Sequence, residues 1–201
     1  MRAAGVSPHE LRAVFLTHFH GDHFGGLPFL LLDAQFCGRE LPLTIMGAPG
    51  LERRLHQAME ALFPNSSRIV WRFPLELREI TPGQAQEVAG FSVTPYEVLH
   101  ASGATPYALR VAAGGKALTY SGDTAWTPAL IEASRDVDLF ICECYRYDDV
   151  VPYHLDWQTL RAHLPELRAR RVMLTHLGAA MLAHVDELGL ETAVDGTVIA
   201  L

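Results

Sequence analysis

The strongest chemical signal in the sequence is a group of metal-ligand side chains within six consecutive positions. Three histidines and one aspartate follow the apolar run 14–16; they are His18, His20, Asp22 and His23. Side chains alternate along an extended backbone, so the first two histidines should point the same way, while the last two ligands lie beyond Gly21 on a turn. Imidazole and carboxylate groups suit zinc, with manganese and iron as substitutes. We therefore expect ligands for two divalent metal ions.

Three later residues of the same types each follow a strand-like run. His100 follows the run 91–99, Asp123 follows 118–122, and His176 follows 172–175. Sites in α/β folds usually lie at the carboxyl ends of strands. One such residue alone would more often be structural, but the recurrence favours one shared site. The histidines that lack this context are expected at the surface or in an interface: His9, His56, His163 and His184.

The elements that must position these side chains follow from the hydrophobic pattern, which alternates between helical and strand periods. Strands are expected at 12–17, 43–46, 69–73, 75–80, 91–97, 107–112, 117–120, 137–143, 171–174 and 197–201. Helices are expected at 23–37, 51–63, 128–134, 157–164 and 179–188. This mixture predicts an α/β fold of four layers (αββα), in which two mixed β-sheets pack face to face with helices outside.

Length, charge and cysteine usage narrow the class of protein. The 201 residues predict one domain, 1–201, with a sizeable core. The net charge of −7 makes long nucleic acid an unlikely partner, because gripping its backbone needs a positive field. A small, anionic substrate stays compatible, since metal ions supply local positive charge. The three cysteines form no CxxC pair, which favours a cytoplasmic location. We expect no membrane association, and a homodimer is compatible with the sequence.

The complete ligand set resembles the metallo-β-lactamase fold superfamily of metallohydrolases. The HxHxDH motif of that superfamily matches 18–23, and its later single ligands match His100, Asp123 and His176. The resemblance implies two ligand groups joined by a bridging Asp123: His18, His20 and His100 for one metal, and Asp22, His23 and His176 for the other. It covers essentially the whole chain, but the opening strands that precede the motif in the family are not recognisable. We therefore expect a late start or a truncated form.

The resemblance also implies a chemistry and a branch. Two neighbouring cations would give a bridging hydroxide near neutral pH, which Asp22 would orient. Asp123 stands where common β-lactamases carry a cysteine, so antibiotic hydrolysis is disfavoured. The stretch 100–111 is similar to ribonuclease Z and related phosphodiesterases. In that branch His154 would contact the phosphate and protonate the leaving oxygen with support from Glu143, although a surface histidine is the alternative reading of His154.

These features predict a dinuclear metal-dependent phosphodiesterase with a small cyclic or short nucleotide-like substrate. The short interval between His100 and Asp123 leaves no room for the long tRNA-clamping arm of the ribonuclease branch. Two alternatives remain: a thioester or lactone hydrolase of the same fold, and a non-catalytic truncated scaffold.

Overall fold

The computed structural model describes residues 1 and 4–201, and the chain divides into two units that are described separately below. The first unit comprises Met1–Ile80 and Ser102–Ala104, and the second comprises Thr81–Ala101 and Thr105–Leu201. The organisation of 1–201 as one domain stays a prediction.

The first unit is built on a three-stranded parallel sheet with its helices in the connections between strands. Its strands are β1 (Ala13–Phe15), β2 (Leu43–Gly47) and β3 (Leu75–Glu79), in the order β1-β2-β3. Its helices are α1 (Gly21–Phe24), α2 (Leu27–Phe36) and α3 (Leu51–Leu62). Every residue of β2 is buried, as is typical of a central parallel strand. This sheet is wholly parallel and not mixed as expected, because each of its connections contains a helical crossover.

The second unit contains a seven-stranded mixed sheet. Its strands are β4 (Gln86–Val88), β5 (Phe91–Glu97), β6 (Tyr107–Ala113), β7 (Lys116–Tyr120), β8 (Leu139–Glu143), β9 (Val172–Thr175) and β10 (Glu191–Thr192). They lie in the order β10-β9-β8-β7-β6-β5-β4. Strands β4 to β7 form an antiparallel meander, whereas β7 to β10 are parallel. Helices α4 (Ala129–Ala133), α5 (Trp157–His163) and α6 (Ala179–Leu182) connect the parallel strands.

The core of the second unit fixes the ends of its parallel strands. Phe140 of β8 and Leu174 of β9 are fully buried, and they belong to one apolar cluster with Trp157 and Leu160 of α5. Burial of side chains of this size is the main stabilising contribution to such a unit. The loops that follow β7, β8 and β9 therefore start from rigid positions.

The sequence predicted most elements, but two predicted strands are wrong. The stretch 69–73 is irregular, because its backbone hydrogen-bonds to the side chain of Gln35 and not to another strand. The Gln35 amide group donates to the Val70 carbonyl and accepts from the Arg72 amide. The stretch 197–201 is also not a strand, and Val198 within it is 85% exposed. The apolar pattern predicts a strand only if its side chains are buried, and a valine this exposed contributes little of that stabilisation.

Other differences concern the lengths of elements. The helix expected at 23–37 is divided in two near Gly25 and Gly26, and the one expected at 179–188 ends at Leu182. The short edge strands β4 and β10 were not predicted, since two or three residues carry little periodic signal. Among the described residues, no helix combines the length and apolar character that crossing a membrane requires.

Candidate functional site

In the first unit, the loop after β1 orients the histidine-rich motif. The Leu16 amide donates to the Met46 carbonyl and extends the pairing of β1 with β2 beyond the strand itself. Phe19, between the first two histidines, is buried with its ring 5.5 Å from that of Phe24. A side chain added at Gly47 would lie 3.4 Å from the Phe19 ring. This packing anchors the loop and fixes where its histidines lie.

The imidazole rings of the motif form a tight group. The His18 ring centroid lies 4.9 Å from that of His20 and 4.2 Å from that of His23. Nε2 of His23 is 3.4 Å from Oδ2 of Asp22, and Oγ1 of Thr17 is 3.1 Å from Nδ1 of His18. Three imidazoles this close would repel one another if protonated, whereas neutral rings are the form that binds a metal ion.

Two details of the local geometry differ from the expectation. The strand ends at Phe15 and not at Thr17, so His18 and His20 lie on the loop that follows it and not directly at its end. Asp22 and His23 lie in the short helix α1, where the His23 amide donates to the His20 carbonyl. Gly21 is the first residue of this helix, so both side chains belong to a helical turn.

In the second unit, Asp123 lies between two of the predicted ligands. Its Oδ2 is 3.8 Å from Nε2 of His100 and 3.5 Å from Nε2 of His176. Asp123 is only 2% exposed. A buried carboxylate between two imidazoles is the arrangement expected of a bridging ligand, and these three residues are brought together as predicted from the sequence.

The hydrogen bond of His100 indicates which of its two ring nitrogens is unprotonated and could bind a metal ion. Nδ1 lies 2.8 Å from the carbonyl oxygen of Tyr153. A carbonyl can only accept, so Nδ1 carries the proton, and in the neutral ring Nε2 presents a lone pair. Metal-binding histidines commonly donate their other ring N–H in this way. The side of His100 directed towards Asp123 thus has the chemistry of a metal ligand.

The backbone at His176 is held in an unusual conformation. Its φ of 55° lies in the left-handed region, which a non-glycine residue adopts only when its surroundings impose it. The Gly178 amide donates to the Tyr145 carbonyl, and a Cβ at this glycine would lie 2.5 Å from that oxygen. The ring centroid of Tyr145 is 5.6 Å from that of His176. Close approach at Gly178 therefore holds the loop that positions His176.

Glu143 and His154, predicted from the resemblance as catalytic support and proton donor, form a pair in the second unit. Oε2 of Glu143 is 3.2 Å from Nδ1 of His154, and Glu143 is fully buried. The His154 ring stacks on His176 with centroids 5.7 Å apart and meets His100 edge-on at 4.9 Å. His154 is therefore not an isolated surface histidine, since it lies against two candidate ligands.

Burial raises the pKa of the Glu143 carboxyl, while its bonds to His154 and to the Thr124 amide act in the opposite direction. The Thr124 amide donates to Oε1 of Glu143, and the Thr124 hydroxyl accepts from the Leu99 amide. Thr124 thereby ties the loop that carries Asp123 to the segment that carries His100.

Three positioning residues were missed in the sequence: Thr124, Tyr145 and Tyr153. Thr124 directly follows the aspartate in a Gly-Asp-Thr sequence, which could have identified it as a turn residue. The contribution of Tyr153 comes from its carbonyl and its φ of 68°, for which the sequence contains no signal.

Two of the remaining histidines form contacts of their own. His163 pairs with Glu166 at 2.5 Å and stacks on Trp126 with ring centroids 4.0 Å apart. His184 stacks on Tyr147 at 3.9 Å. Each unit thus gathers its own set of ligand-type residues, and the grouping of both sets around the same two metals stays a prediction.

Comparison with known proteins extends these observations. The family model described as the β-lactamase superfamily domain matches residues 2–177. The chain is also similar to a ribonuclease Z from Myxococcus xanthus, with 28% identity over 220 residues that cover 83% of this chain and 70% of the relative.

Two solved structures share the fold. The metallo-β-lactamase fold protein YhfI from Bacillus subtilis matches with a TM-score of 0.73 and 23% identity, covering 94% of this chain and 76% of that one. A diphosphatase of the PhnP family matches with a TM-score of 0.72 and 20% identity, covering 94% of this chain and 71% of that one. The predicted fold class, α/β of the metallo-β-lactamase type, is confirmed.

Proposed function

Since the chain belongs to the β-lactamase superfamily of metal-dependent hydrolases, we propose that it is a dinuclear phosphodiesterase. Its substrate would be small, anionic and nucleotide-like, such as a cyclic or short nucleotide. Family membership supports the hydrolase activity, and the pair of Glu143 and His154 supports a phosphodiester as the substrate.

The proposed ligands are the seven residues of the family motif. One metal would be held by His18, His20 and His100, the second by Asp22, His23 and His176, with Asp123 shared. The donor chemistry fits, because the His100 ring directs an unprotonated nitrogen towards Asp123 while its other nitrogen is held by the Tyr153 carbonyl. Nitrogen and carboxylate donors favour Zn²⁺ as the resident ion.

Two divalent cations at these ligands would lower the pKa of water and offset charge on the phosphoryl oxygens. The chain's own residues would then orient the reactants and move protons. Asp22, whose side chain is 64% exposed, would accept a hydrogen bond from the attacking water. His154 would donate a proton to the leaving oxygen, and Glu143 would hold its ring by accepting from Nδ1.

The observation that favours phosphodiesters is this proton donor beside the candidate ligands. An alkoxide leaving from phosphorus is strongly basic and benefits from protonation, whereas the thiolate leaving from a thioester does not need it. A buried carboxylate that orients an imidazole against His100 and His176 suits the first reaction.

The test compares leaving groups in the wild type and in His154→Ala. Removal of the proton donor should lower turnover of a phosphodiester with an alkyl leaving group by about 10²–10⁴-fold. Turnover of bis(p-nitrophenyl) phosphate should fall much less, since p-nitrophenolate leaves without protonation. Zinc content, measured by elemental analysis, should not change.

The matched control is His163→Ala, which removes an imidazole that also pairs with a carboxylate but stacks on Trp126. It should leave both activities unchanged. Equal losses on both leaving groups in His154→Ala, or faster hydrolysis of thioesters or lactones than of phosphodiesters by the wild type, would overturn the assignment. Absence of any hydrolysis by zinc-loaded protein would support the scaffold alternative.

RNA is a second candidate substrate. The similarity to a ribonuclease Z, 28% identical, favours it, and nothing in the comparisons supports the exclusion of long nucleic acid that the net charge predicted. Assays with a short oligoribonucleotide and with a structured RNA, run beside the small phosphodiesters, would separate the candidates. The cytoplasmic location and a homodimer remain proposals, the first supported by the free thiols of the chain.

A further inference from the structure

A second group of metal-ligand side chains lies in the first unit, among residues outside the family motif. Nε2 of His9 is 3.4 Å from Oδ2 of Asp33, and Sγ of Cys37 is 3.6 Å from Oδ1 of the same carboxylate. One ligand atom from each of the three residues lies within 4.8 Å of the others. His9 and Asp33 are half-buried, while Cys37 is exposed.

The spacing of these atoms is close to that of ligands around a zinc ion. With zinc–nitrogen and zinc–oxygen bonds of about 2.0 Å and a zinc–sulfur bond of about 2.3 Å, tetrahedral ligands lie about 3.3–3.5 Å apart. The two observed distances, 3.4 Å from His9 to Oδ2 of Asp33 and 3.6 Å from Cys37 to Oδ1, lie close to these values. Imidazole, carboxylate and thiolate are also the three ligand types that zinc accepts together.

The group is held in place by backbone contacts on both sides. Asp33 and Cys37 are four residues apart at the end of α2, so they share one face of the helix, and the Cys37 amide donates to the Asp33 carbonyl. Arg39 donates to the carbonyl of His9 at 2.7 Å and to that of Leu41 at 2.7 Å. These bonds fix the segment around His9 relative to the end of α2 before any ion binds.

Electrostatics at this position favour a cation. The carboxyl end of α2 carries a partial negative charge from its terminal carbonyls, and Asp33 adds a formal one. Loss of the Cys37 thiol proton on metal binding would add a second formal negative charge. The positive guanidinium of Arg39 is directed at backbone carbonyls, whose dipoles offset it.

We propose that His9, Asp33 and Cys37 bind one zinc-class ion, with water at the fourth position. This site is separate from the seven proposed hydrolytic ligands. It would join the segment before β1 to the end of α2 and so stabilise the start of the strand that precedes the histidine-rich motif.

The test uses cobalt as a spectroscopic probe of thiolate ligation. Apo-protein titrated with Co²⁺ should develop a sulfur-to-cobalt charge-transfer band in the near ultraviolet. The band should disappear in Cys37→Ser and weaken in His9→Gln, and Cys37→Ser should bind one ion fewer by elemental analysis. Hydrolysis by Cys37→Ser should equal that of the wild type.

Two further variants separate the test of this site from the test of the proposed hydrolytic function. His18→Ala, which removes a hydrolytic ligand, should lose activity and retain the band. Cys142→Ala removes a buried thiol and should also retain it. A titration without a charge-transfer band, or a band that survives in Cys37→Ser, would overturn the site whatever the hydrolytic activity proves to be.

Discussion

The carbonyl oxygen of Tyr153 lies 2.8 Å from Nδ1 of His100, although the two residues are 53 positions apart. Tyr153 can present its carbonyl in this way because its φ of 68° lies in the left-handed region. The backbone of one loop therefore fixes the tautomer of a candidate metal ligand in another.

This hydrogen bond predicts that two substitutions at Tyr153 differ in their effect on zinc affinity. Proline is locked near a φ of −65°, so Tyr153→Pro should displace the carbonyl and weaken zinc binding by about 10–100-fold. Asparagine tolerates the left-handed region, and Tyr153→Asn should bind zinc as the wild type does. Competition titration with a chelator measures both affinities. Equal affinities for the two variants would contradict the role of the carbonyl.

Glu143 should act through His154 and not through the metals. Glu143→Gln keeps the size of the side chain but removes the charge that holds the imidazole, so turnover of alkyl phosphodiesters should fall by about 10-fold or more. Hydrolysis of bis(p-nitrophenyl) phosphate and zinc content should change little. Glu166→Gln, at the exposed partner of His163, is the matched control and should have no effect. A loss of zinc in Glu143→Gln would show that its role is structural.

Arg39 should contribute strongly to stability. It is 4% exposed and donates to five backbone carbonyls, those of Pro8, His9, Leu11, Leu41 and Pro42. Arg39→Met leaves these acceptors without their donor and should lower the free energy of unfolding by about 2–4 kcal/mol. Arg53→Met, at an exposed position of α3, should change it by less than about 0.5 kcal/mol. Urea denaturation measures both.

The thiols should differ sharply in reactivity with pH. Burial raises the pKa of Cys144 to about 12 and that of Cys142 well above the usual value, whereas Cys37 is exposed. The thiolate is the reactive form, so at pH 9 only about one in 10³ of the Cys144 thiols would be ionised. In metal-free native protein, a thiol-reactive disulfide should modify one cysteine quickly at pH 8 and at pH 9. Three should react after denaturation, and rapid modification of two or more in the native state would contradict the burial.

The candidate ligands were easier to recognise in the sequence than the ends of the elements that position them. The motif 18–23 and the later candidate ligands were recognisable because residue types and strand-end positions coincide there. The left-handed backbone at Tyr153 and His176 was not, since it depends on tertiary contacts such as the close approach of Gly178 to Tyr145. The strand expected at 69–73 is absent for a related reason. Its backbone hydrogen-bonds to the side chain of Gln35, which is distant in sequence.

The proposed dinuclear centre is tested by the metal content of Cys37→Ser, which lacks the thiolate of the second proposed site, compared with the same protein carrying Asp123→Ala as well. After reconstitution with zinc and removal of excess ion, elemental analysis should find two zinc ions per chain in the first protein and at most one in the second. One zinc ion or fewer per chain in Cys37→Ser, or two in both proteins, would contradict a dinuclear centre bridged by Asp123.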